Sequence, residues 1–234
     1  MKKIIICLLL FNAFISFSQE LTGDELLEKS IQFHDPNNNW ATFEGAFFVT
    51  METPEKSARK SSIRINLPKE HFSVKAIRDT IVTEYTVDKG ACSIAINGNT
   101  DPSEALKKKH NLSCERANLY KNYYTFLYGL PMKLKDEGTI IHQNVEKRKF
   151  KGKEYLVLKA TYNKEVGKDT WYFYFNPKTY AMEVYQFYKE KKDSGEYILL
   201  SGLETINEIK MPKNRAWYYN KNEGYLGTDI LTTN

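Results

Sequence analysis

The residues with the most direct chemical potential are His34 and Asp35. A carboxylate beside an imidazole can orient it as a general base. Adjacent side chains seldom aim at one reacting atom, however, and no nucleophile motif accompanies this pair. The sequence has no G-x-S-x-G, no H-E-x-x-H and no phosphate-cradling glycine loop. A competing reading makes His34-Asp35-Pro36-Asn37-Asn38-Asn39 a helix-ending loop. In that loop Asp35 and the asparagines bond backbone N–H groups while Trp40 packs beneath. His71, His110 and His142 stand in separate segments without ligand spacing, so neither a metal nor another cofactor is expected. With 29 acidic residues, there are too many carboxylate pairs to single out a glycosidase-type dyad.

Cys92 and Cys114 are the next reactive pair, 22 positions apart. In an oxidising compartment they can close a bridge; otherwise they are two small buried apolar residues, and the sequence leaves both open. Cys7 lies inside an apolar run, after Ile6 and before Leu8, which does not suit a lipidated cysteine.

Binding chemistry is better represented than catalysis. The chain carries 16 Tyr, 13 Phe and 3 Trp. In Trp171-Tyr172-Phe173-Tyr174-Phe175 every side chain is aromatic, so both faces of a strand here carry rings; Tyr180–Tyr188 does nearly the same. A sheet with one wet face alternates apolar and polar residues. Two apolar faces need two apolar neighbours: packed helices on one side, and on the other a filled core or a pocket inside a curved sheet. Phe47, Tyr123, Trp171, Phe173, Phe175, Tyr185, Phe187 and Trp217 are the candidate ligand contacts.

The elements that must position these rings follow from periodicity. Residues 1–18 read as an export signal: Lys2 and Lys3, an apolar run from Ile4 to Ile15, then Ser16 and Ser18 before a cut at Gln19. The run is too short to span a membrane. The expected product, 19–234, is one soluble domain, periplasmic or secreted and without a lipid anchor. Thr22 and Glu25 have capping-box spacing ahead of a helix that ends at Pro36. Two-residue alternation then predicts strands at Thr42–Glu52, Ser61–Asn66, Phe72–Arg78, Ile81–Asp88 and Ala91–Ile96. Residues 101–129 break the rhythm with a short polar helix and a longer one from about Ser113. The longer helix carries Leu119, Tyr120, Tyr123, Phe126 and Leu127 at helical spacing, a lid for the sheet. Strands resume at Thr139–Asn144, Tyr155–Tyr162, Thr170–Asn176, Tyr180–Glu190 and Tyr197–Ile209. About ten strands without βα alternation exclude a parallel α/β fold. The expected class is mainly β (α+β), a strongly curved antiparallel sheet or unclosed barrel.

Formal net charge is +5, and the runs Lys107-Lys108-Lys109 and Lys147-Arg148-Lys149 form no stripe interleaved with stacking aromatics. No nucleic-acid partner is expected.

The order of elements is similar to the lipoprotein-carrier fold of LolA, LolB and RseB type, an unclosed barrel lidded by helices. Two stretches resemble a family of uncharacterised exported proteins from Bacteroidota. They are His34-Asp35-Pro36-Asn37-Asn38-Asn39-Trp40 at the start, and Met211-Pro212-Lys213-Asn214-Arg215-Ala216-Trp217-Tyr218 with Tyr225-Leu226-Gly227-Thr228-Asp229 at the end. The fold resemblance implies an apolar concavity that holds acyl chains or other lipids; the family resemblance carries over no catalytic residue. The leading expectation is a non-enzymatic envelope protein binding a hydrophobic or acylated ligand. The alternatives are a packed module that binds protein or glycan, and a hydrolase using His34 and Asp35.

Overall fold

In the computed structural model the described residues are 21–189 and 193–233. The expected leader, 1–18, lies outside them. Helix α1 (Gly23–His34) begins as its capping box dictates. The Thr22 side chain accepts from the Glu25 N–H, and Glu25 Oε2 accepts from the Thr22 N–H at 2.8 Å. Leu26, Leu27, Ser30 and His34 form its buried stripe.

Thirteen strands follow in one antiparallel sheet. They are β1 (Glu44–Thr53), β2 (Lys56–Asn66), β3 (His71–Arg78), β4 (Ile81–Asp88), β5 (Ala91–Ile96), β6 (Thr139–Ile141), β7 (Glu146–Phe150), β8 (Lys153–Tyr162), β9 (Thr170–Phe175), β10 (Met182–Tyr188), β11 (Glu196–Ile206), β12 (Ile209–Tyr219) and β13 (Tyr225–Thr232). Helices α2 (Glu104–His110) and α3 (Cys114–Tyr128) fall between β5 and β6. The strand order is β5-β4-β3-β2-β1-β13-β12-β11-β10-β9-β8-β6, with β7 also on β8, so the path does not close.

The class matches expectation, but three strands exceed it. The stretch Tyr197–Ile209 is not one strand: Asn207 (φ 48°) and Glu208 (φ 65°) turn the chain back into β12. β7 hides in the basic run around Arg148, and β12 contains Pro212. Pro212 lies beyond the reach of β13, where β12 has one partner strand, a place that tolerates its missing N–H.

Curvature follows from one helix touching distant strands. Tyr120 packs on Tyr85 of β4 at 5.3 Å between ring centres, and Phe126 on Trp171 of β9 at 5.5 Å. In a flat sheet β4 and β9 would stand about 38 Å apart, at ~4.8 Å per step over the eight steps between them. Tyr120 and Phe126 are only about 9 Å apart along the helix. The sheet therefore wraps around α3.

That wrapping shifts the helix's buried face. Ala117, Tyr124, Leu127 and Tyr128 point inward, whereas Leu119, expected in the stripe, is 55% exposed. Tyr124 can face the interior because Arg59 meets its hydroxyl. At its start α3 is tied to β5 by the Cys92–Cys114 disulfide, with 5.7 Å between Cα atoms. Helix α2 buries no residue.

The two-sided aromatic strand β9 serves two clusters. Trp171, Phe173 and Phe175 join the main core with α1 and α3. Tyr172 and Tyr174 join a smaller one on the other face, with Tyr155, Val157, Val184 and Phe150. A shallow groove bordered by Tyr155, Arg148 and Pro177 opens beside that outer cluster. Phe150 of β7 folds over it, and Arg148 lies 4.4 Å above the Tyr172 ring.

Candidate functional site

His34 is fully buried at the end of α1, and its surroundings decide its chemistry. The Met182 N–H donates to Nε2 at 3.0 Å, so the ring proton sits on Nδ1, which donates to the Lys210 carbonyl at 2.6 Å. Both nitrogens are thus engaged with backbone. Burial pulls the imidazole pKa down to about 4, outweighing the Lys210 bond that favours the charged form. Asp35 is equally committed: Oδ1 accepts from the Asn39 N–H and Oδ2 from the Trp40 N–H, each at 2.8 Å. Pro36 follows in the turn, and Trp40 is buried. These residues fasten α1 to β10 and β12. They present no free atom to a substrate.

The eight candidate ligand contacts divide by position. Phe47, Phe173, Phe175 and Tyr185 are fully buried in packed core, and Phe187 nearly so. Phe47 stacks on Tyr128 at 4.8 Å, so aromatic packing and not an open void occupies the concavity here. Trp171 lines an open groove of about 470 Å³ of mixed character, with Phe126 and Val166 beside Thr125, Lys133 and Asp136. Tyr123 and Trp217 come together, rings stacked at 6.2 Å, and line a cavity of about 250 Å³ at the mouth of the half-barrel.

That mouth cavity is the candidate site. Its apolar wall is Met51, Tyr123, Trp217 and Leu226; Thr53, Gly227, Glu196 and Asp229 complete it. Strand register explains the grouping: Met51 pairs with Asp229, Asp229 with Arg215, and Trp217 with Gly227. Gly227 is required where it stands. Its φ is +154°, and a Cβ there would meet the Glu52 carbonyl oxygen at 2.4 Å. The glycine lets β13 press against β1 and leaves space above it.

Polar groups close the inner end. The Tyr123 hydroxyl donates to Asp229 Oδ2 at 2.8 Å, joining α3 to β13. Burial pushes the Asp229 carboxyl up, against the pull of the Tyr123 bond and of Arg59 and Arg215. Arg215 is 1% exposed; it donates to the carbonyls of Pro212 and Leu127 and lies 3.9 Å over the Tyr128 ring. Glu196 is also raised by burial, opposed by Lys189. Among the described residues no group of three His, Cys, Asp or Glu side chains is placed to hold a metal, and no helix is long and apolar enough to cross a membrane.

Met51, Thr53, Glu196, Leu226, Gly227 and Asp229 were not picked out as contacts from sequence. The signal for two of them stood in Tyr225-Leu226-Gly227-Thr228-Asp229: a glycine in a strand marks close backbone approach, and an inward-facing aspartate needs a partner.

An unclosed antiparallel sheet rolled around a helix is a LolA-like fold. The structure is similar to that of a LolA superfamily protein from Nitrosomonas europaea (TM-score 0.54, 12% identity, 91% of this chain and 92% of that one). It is also similar to a DUF1329 family protein from Desulfovibrio piger (TM-score 0.51, 10% identity, 90% of each). A search of curated proteins finds no match. The chain belongs to DUF6503, a family of unknown function, whose model matches residues 2–234.

Proposed function

We propose that this protein is an exported, non-enzymatic carrier that binds a hydrophobic or acylated ligand at the mouth of its half-barrel. The observation that carries this is the cavity of about 250 Å³ in which Tyr123, Trp217, Met51 and Leu226 leave apolar surface uncovered. An adjoining groove of about 380 Å³ shares Met51, Thr53 and Leu226 with it. The groove brings the site into the roughly 300–1,000 Å³ range of small-ligand pockets. The LolA-like fold supports a carrier by analogy. The Cys92–Cys114 disulfide and the signal-like residues 1–18 support export to an oxidising compartment.

The site is small beside the full concavity, because α3 fills the rest. The ligand therefore enters by one chain or ring rather than being swallowed whole. Extraction of the purified protein with organic solvent, followed by mass spectrometry, is expected to recover a lipid or acylated species. Leu226 lines both spaces, so Leu226→Trp is expected to weaken uptake of a fluorescent fatty-acid probe by about tenfold or more, with the thermal midpoint unmoved. A ligand-free protein that takes up no probe would rule the proposal out.

A further inference from the structure

Three arginines line the inner face near the mouth: Arg78 on β3, Arg59 on β2 and Arg215 on β12. Arg59 is opposite Met51, and Met51 is opposite Asp229, which is opposite Arg215. Arg78 follows Ala76 by two residues, on the inward parity of β3. Against these three guanidinium groups the row contains one carboxylate, Asp229, which already accepts from Tyr123. Among the described residues none of the three arginines forms an ion pair.

Their N–H groups are incompletely used. Arg78 Nε and Nη2, Arg59 Nε and Arg215 Nε are buried atoms without an acceptor. A buried donor left unpaired costs its whole desolvation, and a cationic one costs more than a neutral one. Arg59 has partial relief from the hydroxyls of Tyr120 and Tyr124, and Arg215 from two carbonyls. Arg78 has no hydrogen-bond partner for either of its two buried nitrogens. It also lines the groove of about 380 Å³ that continues outward from the Trp217 cavity. Lys56, Tyr219 and Tyr225 line the same groove, as does the exposed carboxylate of Glu55. Lys56 balances Glu55, so the Arg78 charge remains over.

We infer that the ligand is an amphiphile with an anionic headgroup, carboxylate or phosphate, held against Arg78 while its apolar chain occupies the Trp217 cavity. This rests on the carrier reading above and adds the headgroup. The two halves of the site are contiguous through Met51, Thr53 and Leu226, so one molecule can span them. An oxyanion offers the planar guanidinium two acceptors at once, which a neutral ester or alcohol does not match in charge.

The test is displacement of an apolar fluorescent dye from the purified protein at about pH 8, where both headgroups are ionised. The probes are a long-chain fatty acid, a monoacylglycerol phosphate with the same chain, and the methyl ester of the acid. The acid, the phosphate or both are expected to bind about tenfold or more tightly than the ester, with the gap narrowing at high salt. Preference for the phosphate would mark a phospholipid source, preference for the acid a free carboxylate, and parity between them a site that reads the negative charge alone. Arg78→Gln is expected to abolish the discrimination, and Arg78→Lys to retain part of it. Equal binding of all three probes by the unaltered protein would overturn the headgroup assignment and leave the carrier reading standing. Failure of every probe to bind would overturn both.

Discussion

A titratable pair such as His34-Asp35 invites a catalytic reading, and its sequence context did include the structural one. What sequence could not supply was the identity of the partners. His34 bonds backbone at Met182 and Lys210, 148 and 176 positions away, and no local pattern encodes contacts of that span. The consequence is measurable through pH. The unfolded chain protonates this ring as pH falls through 6.5, whereas the folded one does so only at about 4. Stability is therefore fully present above 6.5 and falls by about 3 kcal/mol on the way down to 4, at 1.36 kcal/mol per unit. Urea unfolding across that range should show this slope in the wild type. His34→Gln should be less stable at neutral pH and should lack that part of the slope. An identical slope in the variant would remove His34 from the account. Trp217 and Phe173 make a second contrast among the candidate contacts, since one borders space and the other is 0% exposed. Phe173→Ala should cost about 3–5 kcal/mol of stability. Trp217→Ala should lower probe affinity more than it lowers stability.

Secondary-structure elements with plain periodicity were readable from composition and spacing. Strands β4 and β5 match their expected limits, and α1 starts at its capping box. Elements whose signals are physically ambiguous were not. β12 carries a proline, β7 is mostly charged, and the turn between β11 and β12 uses Asn207-Glu208 rather than a glycine. The phase of α3 depends on what surrounds it: Tyr124 faces inward where the rolled sheet brings Arg59 to its hydroxyl, and Tyr128 where Arg215 lies over its ring. That information exists only after the sheet has curled. The same helix is secured at its first residue by the disulfide, which closes a separation of 22 residues. Loop-closure entropy for such a span amounts to about 3 kcal/mol. Replacing Cys92 and Cys114 together with serine should lower unfolding stability by roughly that amount. Reducing agent should then have no further effect on the variant. A double variant as stable as the parent would show that α3 is held by its inner face alone.

Across the whole molecule the doubly aromatic strands turned out to need less of a guest than their composition suggested. One face is filled by α1 and α3; on the other, Phe150 packs on Tyr174 and the charged ends of Arg148 and Lys151 lie over Tyr172 and Tyr197. Uncovered apolar surface remains in the groove that Trp171 borders and at the mouth. A ligand that binds there and not to the unfolded chain should raise stability by about 2.7 kcal/mol at a hundredfold excess over its dissociation constant. Calorimetry with increasing fatty acid should accordingly show a melting temperature that climbs with concentration. One further consequence comes from the pairing of β1 with β13, where Thr50 meets Ile230. Hairpins on either flank of this seam can form early from neighbouring segments, yet the two flanks join only when residues some 180 positions apart find each other. Ordering so long an intervening chain before any reward arrives is a slow search. Until it ends, β1 and β13 each present a bare backbone edge to any passing chain, so the yield of refolding should fall as protein concentration rises.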